Sequence, residues 1–312
     1  PLRVEVWNPS FREKTRKNWV LLMPGLGGDR NHFQWLARSL SHNGWAVVVL
    51  DHPGSDSLAL EALLKGRLSL PGAEVIPDRI NDLDSVIKAK NAGDIDIAAE
   101  KVVLMGHSLG ALTAILSSGV KIDDQLENRC ERVLDNLSLT NLSSLLQCQL
   151  IDISLKERNN MENLSAIVGM NSFGSFLWQE NSNNQINVPL FLTGGTFDLV
   201  TPSISEQLGL FLSLSSNPLS RVLLIEGASH FSPIRVEGQM YQAEGKDLFN
   251  LGESIVGFHP PSVQSLLASE IITFLQKLEK KKPIPSITNL IKGEITFHIL
   301  DRNIIKNLVK VQ

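Results

Sequence analysis

The chain has 312 residues, 43% of them hydrophobic and 20% charged, with a formal net charge of −4. A balance of 29 Lys and Arg against 33 Asp and Glu leaves no basic field for nucleic acid, and no apolar run approaches a bilayer span. RNP, zinc-finger and P-loop patterns are missing as well. What remains is a globular chain long enough for one large domain or two ordinary ones.

In chain order, residues 2–18 read as a strand and a turn, and residues 19–23, WVLLM, as a buried strand. The strand ends in PGLGG, residues 24–28, a loop whose glycines let backbone N–H groups approach a ligand. Residues 31–43 have helical spacing, with Phe33, Leu36, Ala37 and Leu40 on one face. Residues 45–50 form a second apolar strand, closed by Asp51-His52-Pro53-Gly54. Residues 78–90 form a second helix, with Ile80, Leu83, Val86 and Ile87 inward. Strands apolar on both faces, alternating with helices, predict the α/β class with a mostly parallel, doubly wound sheet flanked by helices.

The organising stretch is residues 101–111, KVVLMGHSLGA. An apolar strand runs into Gly106-His107-Ser108-Leu109-Gly110 and then into small, helix-compatible residues. G-x-S-x-G between a strand and a helix predicts a sharp elbow that lifts Ser108 clear of the sheet. The following helix terminus favours developing negative charge there.

Residues 121–163 break the pattern, being long, rich in Asn, Ser and Leu, and mostly helical by propensity. They are expected to be a helical insertion, or cap, over the carboxyl ends of the strands. Both cysteines, Cys130 and Cys148, lie in this segment. Two buried thiols are the plain reading, which favours a cytoplasmic location. A local disulfide is the alternative, and it would fit an exported or periplasmic protein. Strands are expected at residues 166–170, 188–193 and 221–225, and a helix at 262–278. The expected organisation is a catalytic domain over 1–278 and a C-terminal extension over 279–312, apolar enough to pack against it.

A serine hydroxyl needs a base to become a nucleophile. Of seven histidines, His32 and His42 lie by the first helix, too early for this order, and His52, His259 and His298 have no comparable setting. His107 sits inside the elbow, with its side chain expected to point away from the reaction. His230 lies in EGASHF, a small-residue loop after the strand at 221–225. Asp198, in TGGTFD after the strand at 188–193, would orient that base, whereas its rival Asp152 lies inside the insertion. Ser, then Asp, then His, each after a strand, is a hydrolase order. Backbone donors for an oxyanion would be the amides of Leu26 and Leu109. Gly25, Gly27, His107 and Phe231 flank these groups as candidate substrate-side residues.

The blocks PGLGGDRNHFQWLARSLSHNGWAVVVLDHPGSDS, GHSLG, TGGTFDLVTP and EGASHFSP resemble the α/β-hydrolase superfamily. Within it, the sequence resembles the dienelactone-hydrolase-like and platelet-activating-factor-acetylhydrolase-like serine esterases, over residues 20–278. The resemblance implies Ser108 as nucleophile, His230 as base, Asp198 as acid, and Leu26 and Leu109 as oxyanion donors. Its usual His-Gly before the oxyanion residue is Pro24-Gly25 here, and neither Cys lies in an elbow, which argues against dienelactone hydrolysis itself.

The expected activity is hydrolysis of small to medium acyl or lipid-derived esters through an acyl-enzyme. The alternatives are an acyltransferase or thioesterase on the same fold, or a non-catalytic binding protein. The expected partner is a small-molecule ester, with no nucleic acid and no transmembrane segment. Neither a G-x-G-x-x-G motif nor zinc-ligand spacing occurs, so no cofactor and no metal are expected.

Overall fold

The computed structural model describes residues 2–9, 16–69, 71–134, 141, 143–180, 185–234 and 260–309. Strand β1 (Arg3–Trp7) is followed by β2 (Asn18–Met23), a 3₁₀ turn (Arg30–Phe33) and α1 (Gln34–His42). Next come β3 (Val47–Asp51), α2 (Ser57–Leu64), α3 (Ile76–Ala92), β4 (Lys101–His107) and α4 (Leu109–Ser117). The insertion contributes α5 (Leu126–Leu134), α6 (Ser143–Gln149) and a 3₁₀ turn (Leu150–Asp152); residues 135–140 and 142 lie outside the described residues. The chain returns to the sheet with β5 (Leu164–Met170) and β6 (Leu190–Gly195). A π-helical turn (Ser203–Leu208) leads into α7 (Gly209–Leu214), then β7 (Arg221–Ile225) and α8 (Pro260–Glu279). Strands β8 (Ile287–Lys292) and β9 (Ile295–Leu300) and helix α9 (Arg302–Val309) follow.

Among the described residues the strands form one nine-stranded sheet, ordered β1-β3-β2-β4-β5-β6-β7-β9-β8. The six from β3 to β7 run parallel, whereas β1, on one side, and the β9–β8 hairpin, on the other, pair antiparallel. Strands β2 and β3 are buried along their whole length, which is why they read as unbroken apolar runs. Each fully buried Val or Leu contributes about 1.5–3 kcal/mol. Helices α3, α4 and α7 pack on one face, and α1 and α8 on the other, where Phe191 stacks on Phe274 at 4.8 Å. The mostly parallel sheet flanked by helices is the architecture expected.

The chain winds outward from β2 to β3 and then crosses to β4 on the other side. The order therefore reverses between β2 and β4, the place where such sheets bind ligands. The PGLGG loop leaves β2 and the elbow leaves β4, with Met23 in register with Gly106. Helix α2, the π-helical turn with α7, the tail strands β8 and β9, and helix α9 were not expected from the sequence. The tail does more than pack, because β9 pairs with β7 from Val222↔Leu300 to Ile225↔Phe297. Among the described residues no helix is long and apolar enough to cross a membrane.

The two cysteines are joined, Cys130 to Cys148, so the plain reading of two free thiols is corrected. The bridge ties α5 to α6 across a separation of 18 residues. Sequence spacing alone could not reveal this, since pairing depends on how the two helices face each other.

Candidate active site

Ser108 stands at φ 51°, ψ −119°, a strained backbone conformation for a residue with a side chain. The elbow closes tightly around it. A Cβ on Gly106 would run into the backbone of Gly110, and one on Gly110 would meet the carbonyls of Met23 and Pro24. Both glycines are required by close approach, as the motif predicts. The Ser108 amide donates to Met170 O at 2.9 Å, which fixes the elbow to the end of β5. Leu109 begins α4, so its amide is among those a helix start leaves without an intrahelical acceptor. The PGLGG loop lies directly against this turn. A Cβ on Gly25 would sit 3.1 Å from Ser108 Cβ. Gly27 donates to Ser55 O at 2.8 Å, and Leu26 between them is half-buried.

His230 and Asp198 meet at 3.0 Å, His230 Nδ1 to Asp198 Oδ2. Both are buried, at 5% and 2% exposure. Asp198 is held by more than the histidine. Oδ1 accepts from the amides of Val200 (2.9 Å) and Thr201 (2.8 Å). Oδ2 accepts from Asn171 Nδ2 (2.7 Å) and Thr201 Oγ1 (2.7 Å). Burial pushes its pKa up, but the His230 charge and hydrogen bond, with Asn171 and the Thr201 amide, outweigh it and hold the carboxyl below its ordinary range. Asp152, the rival carboxylate, lies exposed in the 3₁₀ turn Leu150–Asp152.

The loop carrying His230 is itself braced. Phe231 meets the His230 ring edge-on at 5.4 Å and is half-buried. Trp35 Nε1 donates to Pro233 O (3.0 Å), and Gln264 Nε2 of α8 donates to Ser232 O (3.2 Å). On the tail side, Glu226 N donates to Thr296 O (3.0 Å), and His298 Nε2 lies 2.9 Å from Glu226 Oε1.

Two sequence expectations for His107 need correcting. Its ring does not turn away from the site, since it packs against His230 at 4.9 Å between centroids, and Nε2 donates to His230 O at 2.9 Å. Burial first, then the proximity of His230, pulls its pKa down to about 3, so it is neutral. At 2% exposure it is a prop for the His230 loop rather than a substrate contact. Gly25 and Gly27 are buried in the loop floor.

Several residues here were not singled out from sequence. Asn171, at φ 48°, and Thr201 complete the shell around Asp198. Glu206 is fully buried in the π-helical turn; its Oε1 accepts from Asn141 (2.7 Å) and Gln147 (3.1 Å), and its Oε2 from the amides of Gly174 (3.0 Å) and Ser175 (3.1 Å). Ser143 N donates to Val200 O at 3.1 Å, so α6 of the insertion is fastened to the Asp198 loop. On the other side His52, at the end of β3, bonds Asp82 at 3.0 Å. Burial, then Arg79, drives the His52 pKa well down, while burial raises Asp82 to about 6 against the pull of Arg79. The signal for Asn171 and His52 was present: each is the first or second residue past a parallel strand, where functional side chains collect.

A cavity of about 220 Å³ lined by Trp19, Glu100, Val102 and Met161 lies at the opposite, amino ends of β2 and β4 and includes none of these groups. Among the described residues no cluster of three or more His, Cys, Asp or Glu could hold a metal. The site sets a serine of strained backbone at a helix start, a bonded His–Asp pair, and the backbone of the elbow and the PGLGG loop against each other.

Residues 14–127, which include the PGLGG loop and the elbow, match the family model described as serine aminopeptidase, S33. The chain is 20% identical over 229 residues to Cutinase 2 of Thermobifida cellulosilytica, covering 71% of this chain and 63% of that protein. It is also 20% identical over 229 residues to Cutinase cut1 of Thermobifida fusca, covering 71% and 52%. The chain thus spans between about half and under two thirds of the length of these curated relatives. With its sheet order, its elbow and these similarities, the chain has the α/β-hydrolase fold.

Proposed function

We propose that this protein is a serine hydrolase that cleaves carboxylic esters through an acyl-enzyme on Ser108. The observation that carries the reading is the His230–Asp198 pair, buried and bonded at 3.0 Å, with the His230 ring packed on His107, the residue before a serine held at φ 51°. His230 Nε2 takes the hydroxyl proton as Ser108 Oγ attacks the ester carbonyl, and Asp198 holds Nδ1–H and offsets the imidazolium charge. The amides of Leu26 and Leu109 receive the oxyanion. His230 then gives its proton to the departing alcohol, and a water, activated by the same His230, releases the acid and restores the serine.

Several observations bear on the substrate. Phe197, Leu199 and Ile204 are exposed on the segment around Asp198, and Leu145 and Ile151 on the insertion. Such a rim suits small to medium acyl or lipid-derived esters, with residues 121–163 acting as a cap. The disulfide in that cap fits an oxidising compartment. The serine aminopeptidase match favours a second reading, cleavage of an amide by the same groups.

The test is labelling with a fluorophosphonate serine probe, wild type beside Ser108→Ala. A p-nitrophenyl ester series from acetyl to long acyl follows, with an aminoacyl p-nitroanilide in parallel. Labelling lost only in Ser108→Ala, with ester turnover ahead of anilide turnover, is the expected result. A folded wild type that neither labels nor cleaves would remove the hydrolase reading, and anilide turnover in excess would replace it with the second.

A further inference from the structure

We infer that Arg79 is a positioning residue for the oxyanion hole, its buried guanidinium fastening together the two chain segments that carry the Leu26 and Leu109 amides. The inference rests on the serine-hydrolase reading and adds to it a residue from α3, outside every motif.

Arg79 is 1% exposed, although α3 is otherwise an ordinary covering helix. Its three nitrogens each find a different acceptor. Nη2 donates to the carbonyl of Pro24, two residues before Leu26. Nη1 donates to Ser55 Oγ at 2.7 Å, and Ser55 O is the acceptor for Gly27 N, one residue after Leu26. Nε donates to Thr113 Oγ1 at 3.2 Å, and that hydroxyl donates in turn to Leu109 O at 2.7 Å. One guanidinium therefore reaches both sides of Leu26 and the first turn of the elbow helix. The Pro24 carbonyl also lies close against Gly110, since a Cβ there would fall 2.6 Å from Pro24 O. Asp56 and Asp82 supply the nearby negative charge that a buried cation needs.

The chemical consequence is geometric. An oxyanion hole works only when its donors already stand where the charge will develop, and a misplacement of about 1 Å can cost on the order of 10²-fold in rate. A planar five-donor fork can hold three acceptors in a fixed relation, whereas an ammonium cannot. The guanidinium makes no direct contact with the reacting atoms, so it acts through the two amides. The expected signature is loss of transition-state binding with ground-state binding retained.

The experiment compares wild type with Arg79→Lys, Thr113→Val and Thr113→Ser in steady-state hydrolysis of a p-nitrophenyl ester. It also measures inhibition by a trifluoromethyl ketone, which forms a tetrahedral adduct with a serine. Arg79→Lys is expected to lower kcat on the order of 10²-fold, and Thr113→Val about tenfold. KM should stay within about twofold and the pH–rate profile unmoved, because the His230–Asp198 pair is untouched. Ketone affinity should fall in step with kcat, and Thr113→Ser, which keeps the hydroxyl, should restore both. If Arg79→Lys fails to fold, the Thr113→Val and Thr113→Ser pair decides alone. Folded variants with kcat within twofold of wild type would overturn the inference. So would parallel damage to kcat, KM and the pH profile, which is general loosening. A wild type without ester turnover or probe labelling would instead overturn the hydrolase reading beneath it.

Discussion

Replacing Asp198 by Asn exchanges one oxygen for an amide nitrogen, and the surroundings leave that nitrogen one place to go. Oδ1 accepts from two backbone amides, those of Val200 and Thr201, which cannot turn to become acceptors. The asparagine oxygen must therefore take the Oδ1 position, and the NH₂ group must face His230 Nδ1 and Asn171 Nδ2. A donor facing Nδ1 forces the ring proton onto Nε2, the atom that accepts the proton of Ser108 in the proposed mechanism. The cost of that wrong tautomer is on the order of 10⁴ in kcat, or about 5.5 kcal/mol at 1.36 kcal/mol per decade. The displaced Asn171 donor adds about 1–2 kcal/mol of lost stability. Steady-state hydrolysis of p-nitrophenyl acetate, with urea denaturation of the same preparations, checks both figures. A folded Asp198→Asn variant with kcat within tenfold of wild type would refute the tautomer argument and the role of Asp198 with it.

Ser108→Gly should be more stable than Ser108→Ala, by about 1–2 kcal/mol, because only glycine adopts φ 51°, ψ −119° without strain; urea midpoints of the two inactive variants decide it. Asp82 carries a pKa raised to about 6, so the folded state binds a proton that the unfolded state, at 3.8, releases. Its stability penalty is thus absent below about pH 4, grows through the interval to about 6 and is complete above it. Asp82→Asn should accordingly gain about 1 kcal/mol over wild type at pH 8, after discounting for its partial solvent exposure, with no advantage at pH 4. Denaturation at the two pH values tests this, and a gap that does not change with pH would contradict it. Opening the Cys130–Cys148 bridge, which spans 18 residues, should cost about 3 kcal/mol, with hydrogen exchange in α5 and α6 rising before that in the sheet. Uniform protection after reduction would refute it.

The parallel strands were legible because burial on both faces writes them as plain apolar runs, WVLLM, VVVL and RVLLI. Helix α2 escaped because SLALEALL is apolar nearly all round, with Leu58 and Leu64 left exposed, so no helical face stands out. Strand β9 escaped because its partner β7 lies 72 to 78 residues earlier, a pairing no local pattern encodes, and β8 joins the sheet only through β9. In the site, Ser108, Asp198 and His230 each follow a strand with small neighbours, and that local signature drew attention to them. Arg79, Thr201 and Glu206 carry no such mark. Their meaning comes from acceptors and donors far along the chain, as with Arg79 and Pro24, 55 residues apart. His107 misled for a related reason: the elbow sets where its backbone runs, but the His230 carbonyl that captures its ring becomes adjacent only in the folded chain.

The placement of β9 beside β7 also sets a timetable for synthesis. The elbow, the PGLGG loop and the Asp198 loop can all assemble from strands already made by residue 201, in the order in which the ribosome delivers them. The histidine loop cannot be finished in that order. Its outer support, Thr296 O on Glu226 N and His298 on Glu226, belongs to β9, and His298 is translated 72 residues after Glu226. A nascent chain halted at residue 280 would display an elbow serine and an aligned carboxylate beside a histidine loop with one flank open. Capacity for turnover should therefore wait for translation of β9 rather than of His230, and a growing polypeptide would be held inert until the β8–β9 hairpin is in place.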